Sequence, residues 1–147
     1  MKLVRTFAFA AAFIAVFALG AAAQNSQAQS ASKTAIFDTV AKTDDTVKAA
    51  LDAHDQKAAG KLVGKTGSFT GTVTKLYSPK SGSIVILNFD RDYKTALTAV
   101  VKRDDFGRFP DLSRLEGKQV LVTGKFIDFK GSTEIDLTKL EQIKIVE

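Results

Sequence analysis

An all-β domain with helical additions is the fold class this sequence predicts: a small five-stranded barrel behind an N-terminal helical segment. Three observations carry it. From Gly60 onward the apolar residues recur with a period of two, which is the strand period. Gly71 and Gly124 stand inside two of the predicted strands, where glycine marks a bulge or sharp bend of the kind a closing barrel needs. Between the third and fourth strands, Phe106, Phe109, Leu112 and Leu115 recur at intervals of three around Pro110, which predicts a short helix or two turns.

The chain opens on a different pattern. Lys2 and Arg5 precede an uncharged apolar run of thirteen residues, Phe7 to Leu19. Ala21 and Ala23 then satisfy the small-x-small cleavage rule, and polar Gln24-Asn25-Ser26 follow. This is the pattern of a secretory signal peptide over residues 1–23. A membrane anchor needs about twenty apolar residues, so the run is too short, and with no Cys at the cleavage site a lipoprotein anchor is excluded. A second cut after Ala28 is the weaker alternative. The mature chain is therefore expected in the periplasm or outside the cell, without stable membrane insertion.

Residues 24–32 are rich in Gln, Ser and Ala and predict a flexible leader. Over 33–60, Ile36, Phe37, Val40, Val47, Leu51, His54 and Ala58 recur at helical spacing, with a break near Lys42 and Thr43. Thr43-Asp44-Asp45 predicts the start of the second piece and Gly60 its end. Such a helix either binds a protein partner or packs on its own domain, the plainer expectation. His54 reads as a packed or half-exposed side chain and not as a ligand.

The barrel then occupies 61–147. Thr66–Tyr77 is the first strand and Ser78-Pro79-Lys80-Ser81-Gly82 a turn. Ser83–Phe89 is the second strand, Asp90–Lys94 a charged connection and Thr95–Lys102 the third. Gln119–Phe129 and Thr133–Leu137 are the fourth and fifth, joined by a tight turn at Lys130-Gly131-Ser132. A last short apolar segment carries Leu140, Ile143 and Ile145. By alternation Val85, Leu87 and Phe89 point inward, and Ile84, Ile86, Asn88, Thr98, Val100 and Lys102 point outward.

Composition narrows the chemistry. The chain has 147 residues and a formal net charge of +5, with no Cys and one His. It therefore has no disulfide framework, thiolate zinc site, iron–sulfur cluster or cysteine nucleophile, and no multi-histidine metal site. Residues 61–147 hold 15 Lys and Arg against 11 Asp and Glu. Gly64-Lys65-Thr66 lacks the upstream strand and first glycine of a phosphate loop. Asp90-Arg91-Asp92 reads as a solubilising loop, not a cation site. The sequence thus predicts a protein that is not an enzyme and needs no cofactor.

Short strands, interior glycines and a helix between strands three and four describe an OB-fold. Over about residues 62–147 the chain resembles the bacterial OB-fold nucleic-acid-binding-type domains. The residues that carry this are Gly71-Thr72-Val73, Ser81–Phe89, Thr98-Ala99-Val100-Val101, Leu115–Gly124, Phe129-Lys130-Gly131 and Glu134–Leu137. In architecture the whole chain is also similar to the secreted bacterial OB-fold stress proteins of the periplasm. The resemblance implies a ligand face on strands two and three, flanked by loops. On this chain that face is Ile84, Ile86, Asn88, Thr98 and Lys102, ringed by Tyr77, Lys80, Arg91, Tyr93, Lys94 and Lys130. The implied ligand is an anionic oligomer: single-stranded nucleic acid foremost, an envelope glycan or a protein partner in the alternative.

Overall fold

Residues 26–147 are described by a computed structural model of the chain; the signal peptide predicted over 1–23 lies outside them. The described chain is mostly β, with short helices. Its strands are β1 (Asp38–Val40), β2 (Leu51–Asp52), β3 (Thr66–Thr72), β4 (Lys75–Tyr77), β5 (Ile84–Asn88), β6 (Thr98–Lys102), β7 (Gln119–Phe129), β8 (Ser132–Asp136) and β9 (Ile143–Val146). They form one mixed sheet that curls as a barrel does. Pairing runs β4–β5–β6–β8–β7–β3, and so begins and ends on a single stretch of chain, residues 66–77. All of these pairings are antiparallel except β6 with β8.

The sheet has nine strands among the described residues, not five. One reason is that the expected first strand changes partner midway. Val73 N–H donates to Lys118 O and Val73 O accepts from Gly117 N–H, which ends the ladder with β7; Thr74 N–H then donates to Asn88 O and opens the ladder with β5. A second is that the last short apolar segment forms a strand of its own, β9, paired with β7 and β1, and a third lies at the N terminus. The helix expected over 33–60 is divided into β1, α2 (Asp45–Ala49), β2 and α3 (Gln56–Gly60).

Two side-chain caps divide that segment. Asp44 accepts the Thr46 amide at 2.8 Å and Asp55 the Ala58 amide at 3.0 Å, so each aspartate starts its own helix. Five-residue helices are marginal alone, whereas the residues between them satisfy their backbone groups on the sheet. β1 pairs in parallel with β9, and β2 with β3. The segment packs on its own domain: Ala53 and Ala59 are buried, and Phe37 and Leu51 lie against the core. Two members of the expected stripe are exposed, Ile36 and His54, the latter held by two carboxylates at the surface.

The expected flexible leader over 24–32 is also corrected in its described part. Residues 26–30 form a helical turn, α1. Gln27 is 2% exposed. Its Nε2 donates to Pro110 O at 3.2 Å and its Oε1 accepts from Leu112 N–H at 3.1 Å. A buried amide that loses its partners costs about 1–3 kcal/mol. Gln27→Ala is therefore expected to destabilise the fold by that amount, read as a lower urea midpoint with an unchanged slope; an unaltered midpoint would mean that α1 is not docked.

The insertion between β6 and β7 is two 3-10 helices, Arg103–Arg108 and Leu112–Leu115. Phe106 belongs to the first and Leu112 and Leu115, one turn apart, to the second, while Phe109 ends the first in extended backbone; all four are buried. The core they close is phenylalanine-rich. Phe69 meets Phe89 edge-on at 5.0 Å and lies 6.5 Å from Phe126.

The strand glycines serve closeness and not bulges. The β3–β7 register runs unbroken through Gly71 and Gly124. A Cβ on Gly71 would stand 2.7 Å from the Ala53 Cβ and 2.9 Å from the Phe89 ring. One on Gly124 would stand 2.6 Å from the Ile135 side chain, at the point where β7 passes from β3 to β8. Among the described residues no helix is long and apolar enough to cross a membrane.

Candidate functional site

The outer face of the sheet follows from strand register. Across β4, β5, β6, β8 and β7, Lys75, Asn88, Thr98, Glu134 and Ile127 form one row. Tyr77, Ile86, Val100 and Asp136 form the next, and Ile84 with Lys102 a third. Period-two alternation puts all of them on one side, because Val85, Leu87, Ala99, Val101 and Ile135 are buried on the other. The inward and outward assignment made from alternation is the one the structure has.

This face is the floor of an open groove of about 1440 Å³. Two loops raise its rim. The β5–β6 loop is anchored by buried Phe89 at one end and Ala96 and Leu97 at the other. Between them Asp90 accepts the Asp92 amide and Asp92 the Lys94 amide, each at 3.0 Å. These turns display Arg91, Tyr93 and Lys94 at the groove. The Gln56 side chain supports the loop by donating to Lys94 O at 2.8 Å.

The second rim is the β7–β8 hairpin. Phe129 pairs with Ser132 across the two-residue turn Lys130-Gly131, whose φ values of 53° and 84° are those of a type I′ turn. Phe129 stands 55% exposed beside the groove, with the Lys130 ammonium 5.3 Å from its ring centre. The Lys94 ammonium lies 5.8 Å from the Tyr93 ring in the same manner.

Ten of the eleven residues singled out from sequence line this groove: Tyr77, Ile84, Ile86, Asn88, Arg91, Tyr93, Lys94, Thr98, Lys102 and Lys130. Lys80 does not. It sits in a turn closed by Gly82 N–H to Pro79 O, and Arg103 pins that turn by donating to the Ser81 and Gly82 carbonyls. Sequence reasoning missed Lys75, Ile127, Phe129, Glu134 and Asp136, which complete the floor and far rim. The alternation already used for β5 and β6 marks Ile127, Phe129, Glu134 and Asp136, had it been carried into β7 and β8, whereas Lys75 is placed by the pairing of β4 with Asn88.

The floor is not uniformly basic. Lys102 Nζ is 2.7 Å from Asp136 Oδ2, and that bond holds the ammonium above its usual pKa. Burial pushes the half-buried Glu134 carboxyl up, and the Asp136 charge pushes it further. Lys75, Arg91, Lys94 and Lys130 stand around this polar centre. Among the described residues no group of three or more His, Cys, Asp or Glu is placed to hold a metal ion.

No protein-family model matches the chain, and neither does any curated protein. Among solved structures it is similar to an OBody, AM1L10, bound to hen egg-white lysozyme, at 24% identity and a TM-score of 0.41, over 58% of this chain and 82% of that one. It is also similar to a putative aspartyl-tRNA synthetase from Leishmania major Friedlin, at 14% identity and a TM-score of 0.45. That match covers 78% of this chain and spans only 23% of the synthetase.

Proposed function

We propose that this chain is an exported, non-enzymatic binding protein of the OB type whose groove takes an anionic oligomer, with single-stranded nucleic acid as the best-fitting chemistry. The OB assignment is supported by the bent first strand β3/β4, the parallel pairing of β6 with β8, and the helical insertion before β7. Export to the periplasm or beyond is supported by the signal-peptide pattern of residues 1–23.

One observation carries the ligand class. Tyr77, Tyr93 and Phe129 are the exposed aromatic side chains among the described residues, and all three line this groove. Lys75, Arg91, Lys94, Lys102 and Lys130 line it with them. Rings for stacking interleaved with cations for phosphate are the two parts of single-strand binding. The carboxylates of Glu134 and Asp136 on the floor are acceptors for the amino and imino hydrogens of bases.

A glycan is the second reading, favoured by the polar floor: Asn88, Thr98, Glu134 and Asp136 suit hydroxyl groups, and OB faces also bind oligosaccharides. A fluorescent single-stranded oligonucleotide and an anionic polysaccharide, each titrated at about 50 and 200 mM salt, separate the two. The expected result is oligonucleotide binding that weakens steeply with salt. Lys75→Glu with Lys94→Glu should weaken it and flatten the salt slope, whereas Lys80→Glu, outside the groove, should do neither. No oligonucleotide binding at the lower salt removes the nucleic-acid reading, and polysaccharide binding in its place establishes the second.

A further inference from the structure

The chain's single histidine sits where the N-terminal segment meets the groove. His54 lies between β2 and α3, with Nδ1 2.9 Å from Asp52 Oδ1 and Nε2 3.0 Å from Asp90 Oδ2. An ionised carboxylate only accepts hydrogen bonds, and a neutral imidazole carries one N–H. Both contacts are made together only by the imidazolium.

The two partners differ in kind. Asp52 is local, and its Oδ1 also accepts the His54 backbone N–H at 2.8 Å. Asp90 is 36 residues away, at the start of the loop that displays Arg91, Tyr93 and Lys94. The same segment holds the far end of that loop through neutral bonds, Gln56 Nε2 to Lys94 O at 2.8 Å and Leu97 N–H to Ala53 O at 2.7 Å. Of these links, only His54–Asp90 changes with a proton.

We infer that His54 is a proton-operated clasp on the groove rim: charged, it ties the start of the β5–β6 loop to the β2–α3 segment, and neutral, it keeps Asp52 and releases Asp90. That this loop is a ligand rim rests on the function proposed above; the clasp itself does not. The charges acting on the ring are Asp52 from β2 and Asp90 from the loop. Their hydrogen bonds, Asp52 first, hold the imidazole above its ordinary pKa against a smaller opposing effect of burial. Both carboxylates are held below their ordinary values, Asp52 chiefly by the His54 amide and Asp90 chiefly by the Asp92 amide. The clasp is therefore closed from the carboxylate range up to the raised histidine pKa, and it opens as pH rises through that value.

The test follows the lone imidazole and the amide shifts of residues 90–95 by NMR across that range, in the wild-type protein and in His54→Gln. The expected result is a histidine titrating above its ordinary value, loop shifts that move in step with it, and no such movement in His54→Gln. Oligonucleotide affinity is measured over the same range. It should fall about threefold to fivefold as His54 deprotonates, the scale of an exposed ion pair, and stay flat in the variant. Loop shifts that ignore the imidazole titration, or that follow pH equally in His54→Gln, overturn the clasp. Affinity that stays flat while the loop responds overturns its control of the groove. Absence of oligonucleotide binding at every pH counts against the proposed ligand, and the shifts still decide the clasp.

Discussion

Phe69→Ala is expected to destabilise the protein by about 3–5 kcal/mol. The ring is fully buried and stands at a junction: its backbone pairs with Leu51 of β2 and Val122 of β7, and its side chain packs on Phe89 and Phe126. Truncation leaves a cavity bounded by two other rings, and rigid strands limit how far the site can collapse. Against a total stability of roughly 5–15 kcal/mol for a domain of this kind, the loss is a large fraction. It should appear in urea unfolding as a much lower midpoint. A shift equivalent to less than about 1 kcal/mol would show that the ring is not at the centre of the core.

The largest expected effect on binding comes from the groove aromatics. Tyr77→Ala and Phe129→Ala should each weaken a single-stranded oligonucleotide by about 1–3 kcal/mol, since each removes a stacking surface, a loss of roughly tenfold to a hundredfold in affinity. The two residues stand on opposite sides of the five-strand face, one on β4 and the other at the end of β7. An extended ligand long enough to reach both should lose both contributions in the double variant, and an oligonucleotide too short to span the face should not. At 53% and 55% exposure neither ring contributes much to the core, so thermal midpoints should stay close to wild type. Unchanged affinity in both single variants would mean that the rings do not stack on the ligand.

Much of this face was legible before any coordinates, and the reason is physical. Over Ile84–Asn88 one face is buried and the other partly open, so side-chain parity is fixed and alternation alone separates Leu87 from Ile86; Thr98–Val101 is buried on both faces and takes its parity from pairing with β5. The insertion over 106–115 was legible in part, since Leu112 and Leu115 keep the three-residue period of the 3-10 helix they share, whereas Phe109 is buried from the extended backbone that ends the helix before it. What escaped was non-local. The partner change at Val73-Thr74 depends on Lys118 and Asn88 being in place, and nothing in the local pattern of 66–77 announces it. The N-terminal stripe suited a helix until the edges of β3 and β9 offered Leu51 and Val40 a ladder. Lys80 looked like a rim cation because its turn was clear, but the direction of that turn is set by Arg103.

The placement of the tyrosines has an optical consequence. The chain has no tryptophan and only two tyrosines, Tyr77 and Tyr93, and both line the groove, while the core is built on phenylalanine. Ultraviolet emission excited near 280 nm, and the aromatic circular dichroism in that region, therefore originate at the groove with no contribution from the interior. Titrations read out this way need no attached dye. A melt followed by emission will track the groove, and one followed by amide dichroism will track the barrel, so a gap between the two transitions would mark a rim that loosens before the sheet does.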